Sequence, residues 1–472
     1  MKVAIRLEPL GVRLETEAGV PLRDVLLPLG VEFPCGGKGR CRRCRVRVLD
    51  GTLETEEGYT DASGWVLACH ARAVSDATLE IGQFEAVILA DDRPFPIHPG
   101  AGRGIAIDLG TTTVVAQLVD LASGAVLGVR AALNPQAVYG ADVMTRIEHA
   151  LAPQGRAELR QAIHTAIDGM IAELTGGTPA ERLAICGNTA MLHFYDGIDP
   201  EPLAHAPFEP LQLESPNGFL PCLGGFVGSD ILAGIVATGL HEANHLEVLI
   251  DLGTNGEIVA GNRERLLCAS TAAGPAFEGG RISCGMRAAT GAIAEAAIAG
   301  GQIRCTTIGG TPPRGICGSG LVDVVAAALD LCLIAPGGRM PAPLTLAEGI
   351  ALTQSDVREL QLAKAAIAAG VRVLVRRLGA TPRDVRRVWL AGAFGNYVNR
   401  ASARRIGLLE FPEEVVEPAG NTALLGARIA LFAPDPSFRA VRAIVRHVPL
   451  AADPEFQEQY VDAMQFPLTA EG

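Results

Sequence analysis

The sequence predicts a multidomain protein of mixed α/β and α+β class: a small sheet-plus-helix unit, a linker, and a larger α/β unit present in duplicate. Three observations predict it. Residues 1–85 hold short alternating strands, one short helix and a Cys/Gly loop. From Gly104 onward, strands alternate with long helical patterns. The segments IAIDLGTTTVV (Ile105–Val115) and VLIDLGTNGEIV (Val248–Val259) align residue for residue over IDLGT, which marks a duplicated domain rather than a solenoid repeat.

In the first unit, Val3–Leu7 and Val12–Thr16 alternate as strands, and Leu22–Leu29 reads as a short helix. After the Cys/Gly loop come a strand over Arg45–Leu49, a turn at Asp50–Gly51 and a last strand near Thr78–Ile81. Residues 86–102 carry Asp91, Asp92, Pro94, Pro96 and Pro99 and read as a semi-stiff linker, either a tether or a strap packed on the surface. The duplicated halves are expected over 103–245 and 246–435, with a C-terminal tail over 436–472. In the tail, Phe456–Met464 is helix-like and suggests no chemistry.

Composition bounds the function. Of 472 residues, 49% are apolar and 19% charged, so the chain can bury sizeable cores and is not disordered. Aromatics are only 4%, so those cores are aliphatic. A net charge of −12 argues against nucleic-acid binding. No apolar run reaches the roughly 18 residues of a membrane span. MKVAIRLEPL lacks a secretory core, and eleven cysteines without one fit a reducing cytoplasm, where metal ligation is favoured over disulfides.

Cys35, Cys41 and Cys44 give C-x5-C-x2-C, and Cys69 follows after 24 residues. Three thiolates in one loop and a fourth from afar suit a [2Fe–2S] cluster; the plant-type spacing is one residue shorter in its first gap. Gly36, Gly37 and Gly39 let the loop aim backbone N–H groups at cluster sulfurs. Zinc is the alternative, although zinc sites usually pair two short knuckles and Cys69 stands alone. Lys38, Arg40, Arg42, Arg43, Arg45 and Arg47 crowd the loop. They read as a docking patch for an acidic electron donor (a ferredoxin or flavodoxin), as an offset to cluster charge, or as a solvated loop. The remaining cysteines have no ligand spacing and read as small core residues. His70 reads as a donor near the cluster or as a surface side chain.

An Asp at a strand end followed by Gly-Thr makes a phosphate-facing hairpin, with the Asp holding Mg²⁺ through water. Two such copies face a common cleft: Asp108, Gly110, Thr111, Thr112 and Thr113, then Asp251, Gly253, Thr254, Asn255 and Gly256. VWLAGAFGN (Val388–Asn396) breaks at Gly392 and Gly395, which admits a flat nucleoside, and a helix follows from about Asn421 to Leu431. Gly274 and Glu278 are expected to line the cleft, and Glu257 to join the Mg²⁺ shell. Gly318 and Ser319 open an apolar helix, for phosphate or ribose contact or for close packing. There is no GxxxxGK[ST] loop. This order of phosphate and adenosine segments resembles the actin-like ATPase superfamily, of ribonuclease H-like fold, shared by sugar kinases and heat-shock ATPases. In that superfamily the helix before the second hairpin often carries the catalytic base. The resemblance assigns ATP as ligand and nominates Asp230, with a helix cap as the alternative role.

The residues around the cysteine loop resemble a plant-type ferredoxin, a β-grasp fold. The combination resembles the reductive activators of corrinoid proteins over nearly the whole chain. NPQAVYGADVMTRI (Asn134–Ile147), GNTAMLHF (Gly187–Phe194), GFVGSDILAG, AAGPAFEGGRISCGMRAATGAI, GICGSGLVD and LAGAFG carry the match. The resemblance implies ATP-dependent transfer of one electron from the [2Fe–2S] cluster to Co(II) of a cobalamin-dependent methyltransferase protein, either methionine synthase or a demethylase corrinoid protein. It leaves a homodimer open. Longer members carry a further domain between the ferredoxin and ATPase parts, where only the 86–102 linker stands here. Moving one electron uphill costs about 2.3 kcal/mol per 100 mV, which gives ATP a purpose. Three alternatives stand. A small-molecule kinase has little use for a one-electron centre. Activators of other low-potential enzymes, such as 2-hydroxyacyl-CoA dehydratases, bind their cluster without a ferredoxin domain. A plain electron carrier has no need of Asp108, Thr111, Asp251 and Thr254.

Overall fold

Alternation along strand β1 (Lys2–Glu8) puts Val3, Ile5 and Leu7 on one buried face. β1 pairs antiparallel with β2 (Val12–Glu17), and α1 (Leu22–Leu26) buries Leu22 and Leu26, one turn apart, against it. β3 (Arg45–Thr55), β4 (Trp65–Leu67) and β5 (Ala71–Ile81) complete a five-stranded sheet in the order β2-β1-β5-β3-β4. The expected turn at Asp50–Gly51 is instead a bulge within β3, where the register against β5 shifts on either side of it. Gly51 has φ +88°, and a Cβ there would lie 2.1 Å from the Asp76 carbonyl oxygen, so only glycine fits. The computed structural model describes all residues except 1, 9–11, 27–30, 32–43, 57–63, 82–92, 141, 254, 434–435 and 469–472. The expected end of the first helix, near Leu29, lies outside the described residues.

The second part of the linker is a strap. Phe95 packs against Phe432 with ring centroids 5.7 Å apart, and the Arg428 guanidinium lies 5.3 Å from the Phe95 ring. Arg93 donates to the Ala419 carbonyl at 2.7 Å, and the Gly100 amide to that of Leu121 at 2.8 Å. Apolar side chains between the prolines fix 93–102 to the surface of the larger unit, which corrects the tether reading for those residues.

The first half of the duplicated unit comprises β6 (Arg103–Leu109), β7 (Thr113–Asp120), β8 (Val126–Leu133), α2 (Val143–Ala150) and α3 (Pro153–Thr175). β9 (Arg182–Gly187), α4 (Thr189–Asp196), α5 (Glu201–Ala204) and α6 (Ser229–Thr238) follow. The second half runs β10 (Glu247–Leu252), β11 (Gly256–Gly261), β12 (Leu266–Thr271), β13 (Ala292–Ala299), β14 (Gln302–Thr307), β15 (Gly315–Ile316) and α7 (Gly318–Asp330). It continues through β16 (Leu344–Ala347), β17 (Ile350–Leu352), α8 (Gln354–Arg377), β18 (Arg387–Ala391), α9 (Gly392–Tyr397) and α10 (Arg400–Arg405). β19 (Val416–Gly420), α11 (Thr422–Ala430), α12 (Pro436–Ile444), β20 (Val445–His447) and α13 (Pro454–Ala463) close it.

The duplication is visible in the sheets. β8-β7-β6-β9 and β12-β11-β10-β18 share one pattern: an antiparallel meander whose first strand also pairs parallel with a later one. Helices α6 and α11 lie between the sheets and cross sides. Ile231, Leu232 and Ile235 of α6 pack with Leu249 and Val259 of the second sheet. Ala423, Leu424 and Ala427 of α11 pack with Ala106 and Val115 of the first. A Cβ at Gly426 would lie 2.2 Å from the Ala233 carbonyl oxygen, so the two helices touch backbone to backbone. The expected boundary at 245/246 thus separates the sheets but not the helices between them.

The separate C-terminal tail is also corrected. β20 pairs parallel with β12 at the edge of the second sheet, and α13 packs on α8. Buried Lys364 of α8 donates to the Gln465 carbonyl at 2.5 Å and lies 5.2 Å from the Phe466 ring. No helix among the described residues is long and apolar enough to cross a membrane.

Candidate active site

A cavity of about 1460 Å³ opens where the two hairpins face each other. The first hairpin contributes Asp108, Gly110, Thr111, Thr112 and Thr113; the second contributes Asp251, Gly253 and Asn255. Each turn closes on a backbone bond of 3.1 Å, Gly110 N–H to the Thr113 oxygen and Gly253 N–H to the Asn255 oxygen. The register repeats as well: Asp108 stands beside Cys186 of β9, as Asp251 stands beside Ala391 of β18. Asp230, Glu257, Gly274, Glu278, Gly318, Ser319 and Gly392 line the same space. Thr254 lies outside the described residues.

Three side chains that the sequence did not single out hold the first hairpin. Asn134 donates its amide to the Gly110 carbonyl at 2.9 Å, Asn188 to Thr111 Oγ1 at 2.9 Å, and Asn421 to Asp108 Oδ2 at 2.9 Å. Asn188 and Asn421 are also the N-caps of α4 and α11, and Asn134 caps a short 3-10 turn over Pro135–Val138. The amide oxygen of Asn134 accepts from Gln136 N–H at 2.9 Å, that of Asn188 from Met191 N–H at 3.0 Å, and that of Asn421 from Leu424 N–H at 2.9 Å. The capping bond orients each amide, so its NH₂ points at the hairpin. Their separation from the hairpin in sequence hid them.

Asp230 lies in the first turn of α6. The N-cap is Gly228, which has no side chain, and the Asp230 carboxylate accepts from the neighbouring Ile231 N–H at 2.8 Å. Asp230 is thus not the N-cap residue, but its carboxylate still satisfies one first-turn N–H of the helix, so a local capping role stands beside the catalytic one. A Cβ at Gly228 would lie 2.1 Å from the Gly187 carbonyl oxygen, and this close approach sets the helix start against the turn after β9.

The acids at the cavity floor share one electrostatic condition. Burial pushes Asp108 up to about 6, partly offset by the Asn421 amide. Burial, then the charge of Asp251, pushes Asp230 up to about 7. Burial, then Asp108, pushes Asp251 up to about 7. Burial also raises Glu257 well above the carboxylate range, with Asp230 and Asp251 adding to it and Ser270 Oγ donating to its Oε1 at 3.3 Å. In the metal-free chain these groups bind more protons folded than unfolded between about pH 4 and 7. Their stabilising contribution is complete below about pH 4 and is lost as pH rises through about 7. Calorimetric melts of wild type and Asp251→Asn across that range test this. The variant is expected to lose less stability with rising pH; equal slopes contradict the assignment.

Two glycines expected in the cleft pack elsewhere. A Cβ at Gly256 would lie 1.8 Å from Ile367 Cδ1 of α8, and one at Gly395 would lie 3.2 Å from Leu390. Neither lines the cavity; they are corrected to packing positions, because strand alternation turns Gly256 toward the helix layer. Gly318 serves both readings: it lines the cavity, and a Cβ would sit 1.9 Å from the Phe277 carbonyl oxygen. Gly392 has φ +82°, and a Cβ there would stand 2.8 Å from Asp251 Oδ1. Gly392→Ala is expected to cost about 1–3 kcal/mol of backbone strain and to weaken nucleotide binding about tenfold by displacing Asp251. Calorimetric titration with a non-hydrolysable ATP analogue checks this.

The far wall also went unforeseen. His447, Pro449, Asp453 and Phe456 from the C-terminal segment line the cavity, and Asp453 pairs with Arg377. Phe277 and Phe394, stacked with centroids 4.5 Å apart, give it an aromatic face.

In the first domain, Cys44 precedes β3 and is buried; Cys69 follows β4 and is half-buried against the same core. Arg45 pairs with Leu67, and the Ala68 amide donates to the Cys44 carbonyl at 2.7 Å, so these two segments are adjacent. The pair fits one side of a thiolate-held cluster. His70 Nδ1 lies 2.7 Å from Glu56 Oε2. Cys35, Cys41 and the glycines between them lie outside the described residues. Of the other cysteines, Cys186, Cys222, Cys268 and Cys317 are buried, as core residues are; Cys284 and Cys305 are half-buried and Cys332 is exposed.

Comparison with known proteins agrees with this layout. A 2Fe-2S iron-sulfur cluster binding domain matches residues 5–74, the RACo middle region residues 103–219, and the C-terminal (ASKHA) domain of RACo residues 245–471. The corrinoid activation enzyme RamQ of Eubacterium limosum is 37% identical over 429 residues, spanning 79% of this chain and 71% of that protein. The chain belongs to the RACo family. Another relative, the [Co(II) methylated amine-specific corrinoid protein] reductase of Methanosarcina barkeri, is 28% identical over 374 residues, 69% of each chain. A solved structure, a reductive activator for a corrinoid, iron-sulfur protein, superposes with a TM-score of 0.69 at 28% identity over 98% of both chains. The RACo middle region falls on 103–219, within the first half of the duplicated unit and after the 86–102 linker. This RACo chain joins an iron–sulfur domain to an actin-like, sugar-kinase-type domain.

Proposed function

We propose that this chain uses ATP to drive a single electron from a [2Fe–2S] cluster onto the Co(II) of a corrinoid protein, restoring Co(I). One observation carries the reading: a cleft built on two Asp-Gly hairpins shares a chain with a domain that sets Cys44 beside the Cys69 segment. The relatives' names point to a corrinoid protein as the target. Methionine synthase and demethylase corrinoid proteins are both candidates.

In this reading the hairpin amides and Thr111–Thr113 hold the phosphates, and Asp230 orients or deprotonates the attacking water. Asp108 and Asp251, with Glu257 behind, hold Mg²⁺. Among the described residues no three His, Cys, Asp or Glu side chains converge to bind a metal directly, so Mg²⁺ would sit on water and phosphate oxygens. The desolvated acids fit such a cation, which would satisfy charge that burial now opposes. Cys35, Cys41, Cys44 and Cys69 hold the cluster, which supplies the electron when bound. The basic loop receives an acidic ferredoxin or flavodoxin. Arg47 at its edge is paired with Glu80; Arg42 and Arg43, adjacent in sequence within the basic run, are the pair to reverse. Glu at both is expected to slow reduction at low salt and flatten its salt dependence; unchanged rates discard the docking role.

The deciding experiment is anaerobic. The cluster-loaded chain, a low-potential reductant and a Co(II) corrinoid protein are followed by the corrinoid spectrum, with and without ATP. Co(I) that appears only with ATP supports the proposal. Co(I) without ATP reduces the chain to an electron carrier. No Co(I) with either acceptor class, despite a cluster signal and ATP turnover, rejects the proposed target.

A further inference from the structure

The iron–sulfur domain meets the ATPase at Trp65. The Arg314 guanidinium, from the second half, lies 5.5 Å from the Trp65 ring centroid, within cation–π range. Arg47, the cross-strand neighbour of Trp65, lies 5.3 Å from the same ring. The tryptophan is 9% exposed, and Leu133 of β8 packs on the core of the same domain.

Two short, tightly held paths leave this contact. On one side, Trp65 opens the buried strand β4, which ends at Leu67, two residues before Cys69 and in register with the residue after Cys44. On the other, Arg314 immediately precedes β15, which leads through Cys317 into Gly318 and Ser319 at the cavity wall. β15 cannot slide alone. Ile316 N–H bonds the Cys284 oxygen at 2.8 Å, Met286 N–H the Ile316 oxygen at 2.9 Å, and Cys317 N–H the Ile293 oxygen at 3.1 Å. Arg314 is itself held. Its Nη1 donates to the Thr290 carbonyl at 3.0 Å and its amide to the Gly291 carbonyl at 2.8 Å. Gly291 has φ +86°, and a Cβ there would stand 2.3 Å from Arg314 Cδ; the glycine leaves room for the arginine stem to cross.

We propose that Arg314 is a positioning residue that ties the iron–sulfur domain to the cleft. Through its guanidinium on Trp65, the state of the α7 N-terminus sets where β4, the strand that leads into Cys69, rests. The proposal rests on reading the cavity as a nucleotide site.

Hydrogen exchange on the full, cluster-loaded chain tests it, with and without Mg²⁺ and a non-hydrolysable ATP analogue. In wild type the nucleotide is expected to change exchange over 315–321 and, by roughly two- to fivefold, over 65–69. In Arg314→Ala the 315–321 response should persist and the 65–69 response vanish; Arg314→Lys should keep part of it, since the cation remains. If Arg314→Ala fails to fold, Trp65→Leu, which keeps apolar volume but removes the π face, is expected to give the same uncoupling. A 65–69 response that survives Arg314→Ala or Trp65→Leu overturns the proposal. So does a wild type in which 315–321 responds and 65–69 does not. A wild type in which 315–321 ignores the nucleotide overturns the nucleotide reading itself.

Discussion

Asp230→Asn is expected to lower ATP turnover by about 10²–10⁴-fold, the usual contribution of a general base, while nucleotide affinity changes little. The case is geometric first. Asp230 sits at the start of α6, whose N-terminus is fixed against the turn after β9, and it faces the space between the two hairpins. In the metal-free cleft, burial and then the charge of Asp251 push its carboxyl up to about 7, so the group can carry a proton there. Asparagine keeps the size and loses the basicity. Single-turnover hydrolysis alongside titration with a non-hydrolysable analogue separates chemistry from binding. Turnover near wild type would remove Asp230 from the chemistry.

Cys69→Ser is expected to lower [2Fe–2S] content at least about tenfold and to abolish electron delivery, with ATP turnover near that of wild type. Cys69 is the better choice of the two candidate ligands among the described residues. Cys44 is buried in the core of its domain, where a polar replacement would also cost stability; Cys69 is half-buried at its edge. Visible absorption, EPR of the reduced protein and metal analysis read the outcome together. Bound zinc with no visible chromophore in the wild type would replace the iron–sulfur assignment.

The sequence carried the duplicated hairpins because their chemistry is contiguous: strand, acid, glycine and threonines lie within a few residues. It carried Asp230 through its position before the second copy. It could not carry Asn134, Asn188 and Asn421, which come from three distant segments and look like ordinary helix caps until the fold sets their amides on one hairpin. Gly256 and Gly395 misled for the opposite reason: a glycine beside a phosphate loop and a glycine under a helix look identical in one dimension. The strap misled because its prolines and acids suggested a spacer, while Phe95 and Ile97 supplied the contacts that seat it. The C-terminal wall was illegible because its residues hold no motif; only pairing of β20 with β12 brings them to the cavity.

That pairing bears on how the protein can be handled. β20 occupies the outer side of β12, so it closes a row of backbone donors and acceptors that would otherwise face solvent. A chain cut after Ile444 would keep both hairpins and every carboxylate at the cavity floor. It would also leave β12 open to association with other molecules and the buried ammonium of Lys364 without the Gln465 carbonyl. Such a truncation is expected to favour aggregation, which size-exclusion chromatography of the shortened chain would read. Loss of activity on shortening this region would therefore say nothing about a docking role for it until the monomer had been shown to survive.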